Sequence, residues 1–221
     1  WFPMQARDVQ PEILDSLSPD DPRAKANRRD LRFLNAVMGN HRWIAGELRR
    51  RRPVGGAIVE AGAGEGDLGR FLRRRGVVGP ETDYRGLDRL GRPGGWPPEW
   101  GWAREDLRDY RPGPGTAAFV ANLLLHQFGD EELRDLGRRL SAVPLWIVCE
   151  PLRVRWSVWG LALLRPFGLS PVSWHDGRVS VRAGFRRHEL AGLLGAGRDG
   201  RRFRVREDPR GSYRLVSWLA K

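Results

Sequence analysis

The segment Ala57 to Leu72, AIVEAGAGEGDLGRFL, constrains this chain more than any other. A short apolar strand ends in an acidic residue, a glycine-rich loop follows, and an amphipathic helix carries Leu68, Phe71 and Leu72 as far as Gly76. A strand that runs through a tight loop into a helix is the opening unit of a parallel sheet covered by helices on both faces.

The rest of the chain extends that unit. Tyr84 to Leu87 reads as a second strand ending at Asp88, and Trp102 to Glu105 as a third ending at Asp106. Thr116 to Ala121 and Pro144 to Cys149 read as the fourth and fifth. Between them Asp130 caps a helix with Leu133, Leu136 and Leu140 on one face. The second and third strands are joined by GRPGGWPPEWGW, a Pro/Gly/Trp stretch where an α/β protein places a helix. Arg202 to Arg206 and Ser212 to Leu219 form a hairpin that closes the sheet with an antiparallel strand. Ahead of the first strand, Asp20-Asp21-Pro22 starts a helix carrying Leu31, Leu34 and Met38, with Phe33 and Val37 widening its stripe. Gly39-Asn40 breaks it, and a second helix runs from His41 to Arg51.

The fold expected is α/β: a three-layer sandwich with a mostly parallel seven-stranded sheet, N-terminal helices and an inserted cap. Residues 1–52 form the helical segment and residues 53–221 the main domain. The cap, at about 151–184, carries Trp156, Trp159, Leu161, Leu163, Leu164, Phe167 and Trp174. It reads either as an apolar cover over a ligand or as extra core helix.

The glycine loop contains two overlapping patterns. Gly64, Gly66 and Gly69 satisfy the G-x-G-x-x-G of dinucleotide sites, with Asp88 at the distance of a ribose-binding carboxylate. Glu60, Gly62, Gly64 and Gly66 form instead acidic-x-G-x-G-x-G. A dinucleotide fingerprint begins directly after the strand, where backbone N–H groups and the helix N-terminus meet a pyrophosphate. A carboxylate at that point repels a diphosphate and favours a cationic ligand without phosphate. S-Adenosylmethionine, with a sulfonium, an ammonium and one carboxylate, has that charge pattern. Asp88 is placed to accept from both ribose hydroxyls, Asp106 from the adenine amino group, and Leu107 to offer its N–H and apolar contact.

These residues resemble the class I, seven-stranded S-adenosylmethionine-dependent methyltransferases of small-molecule type. VEAGAGEG is similar to their first motif, GLD to the second and EDL to the adenine motif. FVANLLLHQFGDEELRDLGRRL is similar to their fourth strand and helix. The resemblance spans roughly residues 55–150. Looser similarity in RRDLRFLNAVMGNHRW and HDGRVSVRAGFRRHEL points to bacterial enzymes acting on lipophilic phenols, quinones or polyketides. Gln127 departs from the pattern where a second histidine is usual, and no glycine-rich turn precedes the fifth strand.

The resemblance implies methyl transfer to a small hydrophobic acceptor. Ligands of open α/β sheets lie beyond the C-terminal strand ends, which places Asn122 beside the cofactor and His126 and Glu150 beside the acceptor. These two and His175 are the candidate general bases for an acceptor that must lose a proton. His41 and His188 read as surface or capping residues. The four histidines are scattered and no cluster has ligand spacing, so no metal site is expected.

Composition limits the alternatives. The net charge of +12 suggests nucleic acid, but 37 of the 39 basic residues are arginine and they are spread along the chain. That bias reads as GC-rich coding rather than a nucleic-acid footprint, and leaves RNA or tRNA methylation as the second reading. A non-catalytic nucleotide-binding module is the third. One cysteine, Cys149, in an apolar run, fits an inert thiol in a reducing cytoplasm. No secretory leader pattern is visible. The apolar run Trp156 to Leu164 is too short to span a bilayer but apolar enough to touch one. The oligomeric state is not legible.

Overall fold

The computed structural model describes residues 6–18, 20–53 and 55–220, with the backbone alone for Phe167. Seven strands form one sheet in the order β3-β2-β1-β4-β5-β7-β6. They are β1 (Ala57–Ala61), β2 (Tyr84–Asp88), β3 (Gly101–Arg104), β4 (Thr116–Asn122), β5 (Leu145–Pro151), β6 (Arg201–Asp208) and β7 (Ser212–Leu219). β1 to β5 pair in parallel, and β7 is antiparallel to both of its neighbours.

Both faces of the central strands are buried, so their residues alternate between two apolar layers. Val59, Phe119, Trp146 and Val148 face one layer, completed by α4 (Asp130–Arg139) and α7 (Glu189–Leu193). Ile58, Val120, Ile147 and Cys149 face the other, completed by α2 (Asn40–Arg51) and α3 (Asp67–Arg74). Ile44 and Leu48 of α2 belong to that second layer, which makes the N-terminal helical segment part of the core. Burial pushes the Cys149 thiol well above its ordinary range, as expected of an inert thiol.

The connection between β2 and β3 contains no helix among the described residues. Tryptophans fill the space. Trp96 meets Tyr84, Trp100 and Trp102 at ring-centroid distances of 5.9, 5.4 and 5.0 Å. Gly86 makes room for this cluster, since a Cβ there would stand 2.5 Å from the Trp102 ring.

The 151–184 region is helical: α5 (Arg155–Leu164), a short 3-10 turn and α6 (Pro171–Ala183). Ser170 caps α6 by accepting from the N–H of Ser173, with Pro171 in the first turn. α1 (Pro22–Met38) and α5 both pack on α6 through Leu34, Leu161 and Val181. Asp176 of α6 accepts from the N–H groups of Ile13 and Leu14 at 2.8 and 3.0 Å, which ties the N-terminal strap across the C-terminal ends of the strands.

Candidate functional site

A cavity of about 1090 Å³ opens at the C-terminal ends of β1, β2 and β4, the position open α/β sheets reserve for ligands. One half is built by the glycine loop. Gly62, Gly64 and Gly66 all lie in the left-handed region, with φ of 66°, 51° and 76°. A Cβ on Gly62 would meet Leu124 at 3.0 Å, and one on Gly66 would meet Trp96 at 2.8 Å. A Cβ on Gly64 would meet only Gly62 O, at 4.0 Å, so the loop is open at its middle glycine. Asp88 holds the loop: one carboxylate oxygen accepts from Gly64 N at 2.8 Å and the other from Leu90 N at 2.9 Å. An ionised carboxylate has about four acceptor positions, so this cavity-lining residue retains capacity for a ligand.

Asp106 and Leu107 line the same half. Asp106 accepts from Arg108 N at 2.9 Å and pairs with its guanidinium at 3.2 Å. Gly62 and Gly64 also border the cavity, whereas Gly66 sits behind it as the N-cap of α3.

Glu60 departs from its expected role in the charge argument. The strand runs past it to Ala61, and alternation turns its side chain with Ile58 toward α3. The carboxyl accepts from Tyr84 Oη at 2.7 Å and from the Gly69 N–H. Burial, only partly offset by these bonds, raises its pKa to about 8. Glu60 thus supports the loop from beneath while bordering the cavity, and its burial favours the neutral form. Glu65, Asp67, Asp88, Glu105 and Asp106 also line the cavity, where Glu65 pairs with Arg28, Asp67 with Arg70 and Asp106 with Arg108.

The other half is assembled from side chains distant in sequence. Leu123 adopts φ 54° at the end of β4, a strained position for a leucine. The turn sends three successive N–H groups to the fully buried Glu150 carboxylate: Leu124 at 3.1, Leu125 at 2.8 and His126 at 3.2 Å. His126 Nδ1 lies 2.7 Å from the same carboxylate, and its Nε2 lies 3.2 Å from Glu12 of the strap. Ser180 and Gln127 also donate to Glu12. Burial opposes charge on the imidazole, but the bonds to Glu12 and Glu150 outweigh it together and raise His126 to about 9.

Beside this triad runs an amide chain. Asn122 Nδ2 donates to Asn35 Oδ1 at 2.9 Å, and Asn122 Oδ1 accepts from Asn40 Nδ2 at 3.1 Å. Asn40 Oδ1 in turn accepts from Ser212 at 2.7 Å. Asn122 lines the cavity with its amide engaged by the N-terminal helices.

Two further expectations are corrected. His175 lies outside the cavity lining, half exposed, with Nδ1 3.1 Å from Asp176, because it is on the outward face of α6. It is not placed to act as a base. His41, expected at the surface, lines the cavity against the Phe71 ring, and burial lowers it to about 4. Within the cap, Trp156, Leu161, Leu163 and Leu164 line the cavity, while Trp159 and Trp174 do not. The Phe167 side chain lies outside the described residues.

Residues that the sequence reading missed come mainly from the first 35 positions. Glu12 is one. Arg28 and Arg32 of α1 are others: Arg28 pairs with Glu65 at 2.9 Å, and Arg32 Nη1 lies 3.7 Å from Asp67. Nothing local in the sequence marks these residues as neighbours of the glycine loop.

The strand order, the reversed β7 and the cavity position define the fold of the class I S-adenosylmethionine-dependent methyltransferases. Solved structures agree. The plantazolicin methyltransferase BamL, solved with a triazolic desmethylPZN analog and SAH, superposes with a TM-score of 0.68 at 9% identity, over 94% of this chain and 93% of that one. The plantazolicin methyltransferase BpumL, with a monoazolic analog and SAH, gives 0.63 at 11% identity over 90% and 88%. Human N-acetylserotonin methyltransferase, in complex with SAM, gives 0.56 at 14% identity, over 94% of this chain and 61% of its own. No family model and no curated protein matches the sequence. Among the described residues no cluster could hold a metal ion, and no helix is long and apolar enough to cross a membrane.

Proposed function

We propose that the chain binds S-adenosylmethionine in the glycine-loop half of the cavity and methylates a small hydrophobic acceptor in the other half. The observation that carries this reading is the loop itself: three left-handed glycines at the end of β1, tied through the Gly64 N–H to the Asp88 carboxylate at the cavity. Asp88 would take the ribose hydroxyls, and Asp106 with Leu107 the adenine. The loop N–H groups and the guanidinium of Arg28 would face the amino-acid end. When bound, the cofactor supplies an electrophilic methyl group on a sulfonium.

The chain's own contribution is positioning and proton handling. Most of the acceleration in methyl transfer can come from holding nucleophile, methyl and leaving sulfur in line within a site that excludes water. Leu124, Leu161, Leu164 and Trp156 supply the apolar walls. For a phenolic acceptor His126 is the base, with Nε2 receiving the proton and Glu150 fixing the ring through Nδ1. With both carboxylates in place His126 is held protonated and its Nε2 N–H donates to Glu12, so it becomes a base only when the acceptor displaces Glu12 and that carboxyl leaves with the Nε2 proton.

The test is transfer of labelled methyl from S-adenosylmethionine to a panel of lipophilic phenols and quinols, run beside bulk tRNA. Label in the phenol fraction, reduced at least tenfold by His126→Ala, supports the reading. Label in RNA alone would replace the acceptor class.

A further inference from the structure

Large apolar side chains are exposed in one region far more than elsewhere. Of the seven exposed among the described residues, five lie on α1 and α5: Phe33, Val37, Trp156, Trp159 and Leu163. Trp159 and Leu163 are 71% and 73% exposed. On α5, Trp156, Trp159, Ala162 and Leu163 fall at helical spacing on one face, and Phe33 and Val37 do so on α1. Both helices pack on α6, which brings the two faces together. The patch also meets the cavity: Val37, Trp156 and Leu163 are exposed and line it at once, so they form its rim.

Exposed charge on the α5 side of the patch has one sign. From Pro151 to His175 the chain holds no acidic residue, and Arg153 is buried against Glu189. Arg155 and Arg165 are exposed at the two ends of α5. We propose that this face docks on an anionic lipid bilayer, with α5 in the plane of the headgroups and the cavity rim turned toward the acyl chains. Ten residues of helix are about 15 Å long, half of what a span needs, and suit an in-plane position. Tryptophan favours the headgroup boundary, and flanking arginines favour anionic lipid. A second copy of this chain fits less well, because its net charge of +12 would meet like charge. Entry of a lipophilic acceptor from the bilayer rests on the function proposed above; the docking does not.

The experiment is co-sedimentation of the full chain with vesicles of phosphatidylglycerol and phosphatidylcholine, and with pure phosphatidylcholine. Binding to the anionic vesicles, at least tenfold tighter than to the neutral ones and reduced by salt, is expected. The Phe33→Glu and Trp159→Glu double substitution should weaken it tenfold or more. Neither residue lines the cavity, so melting temperature and S-adenosylhomocysteine affinity without vesicles should be unchanged. The milder Phe33→Ser and Trp159→Ser pair keeps the test open if the charged pair misfolds. Failure to bind anionic vesicles, or equal binding by the variants, overturns the proposal. So does loss, in the same variants, of a lipid-free dimer seen by analytical ultracentrifugation. Loss of S-adenosylhomocysteine binding by the unaltered chain would count against the cofactor reading and leave the docking result to stand by itself.

Discussion

The two halves of the cavity are built in different ways. The glycine-loop half uses backbone: Gly62, Gly64 and Gly66 shape it, and Asp88, 24 residues from Gly64, ties it down. The other half uses side chains drawn from across the chain: Glu12 meets His126 over 114 positions and Asn35 meets Asn122 over 87. A backbone site needs particular residue types at fixed short spacings and leaves a pattern in the sequence. A side-chain site assembled by tertiary packing leaves only scattered polar residues, each of which reads equally well as surface.

The largest expected effect sharpens the backbone half. Glu60 is buried beneath the loop with its pKa raised to about 8 against an ordinary 4.5. The native state therefore holds a proton that the unfolded chain releases, and stability is lost as pH rises from about 4.5 to about 8. Glu60→Gln keeps an acceptor for Tyr84 and has no charge to bury. Its advantage over the unaltered chain should grow across that window to a few kcal/mol, at about 1.4 kcal/mol per pH unit, and level off above pH 8. Urea unfolding at pH 5, 6.5 and 8 reads this directly. A gap that does not change with pH would mean that Glu60 is ionised in the folded protein.

This result bears on what was legible. The acidic-x-G-x-G-x-G pattern located the loop, and the apolar run after it located Asp88 at the end of the second strand, because each follows from local geometry. It did not show that strand alternation, which depends on where β1 ends, turns the Glu60 side chain under α3, where burial favours its neutral form. In the same way the cap read either as ligand cover or as core helix, and the structure turns Trp156 of α5 to the cavity while Trp159 and Trp174 lie outside its lining. Helical facing inside the cap depends on how α5 and α6 pack on α1, which has no counterpart in the sequence. The tryptophan-filled connection before β3 was legible, since Pro/Gly density excludes a helix there.

A smaller effect probes the side-chain half. Glu12 and Glu150 together hold His126 charged up to about 9 against burial. His126 thus stabilises the fold fully below pH 6.5, and that contribution is lost as pH rises through 9. Removing the Glu12 charge with Glu12→Gln should lower the His126 titration by about one pH unit, since an opposite charge at this range shifts a pKa by that order. Imidazole NMR titration follows it without any acceptor, and the four histidines make assignment simple. An unmoved inflection would show that Glu12 does not contact His126 in solution, and that the strap is not part of the site.

The most direct measurement is calorimetric titration of S-adenosylhomocysteine and of NADH into the unaltered chain and Asp88→Ala. The account predicts micromolar binding of S-adenosylhomocysteine and no detectable NADH binding. Affinity should fall at least tenfold in Asp88→Ala, the cost of about one charge-assisted hydrogen bond, with the circular dichroism spectrum unchanged. Tighter binding of NADH, or an affinity for S-adenosylhomocysteine indifferent to Asp88, would contradict it.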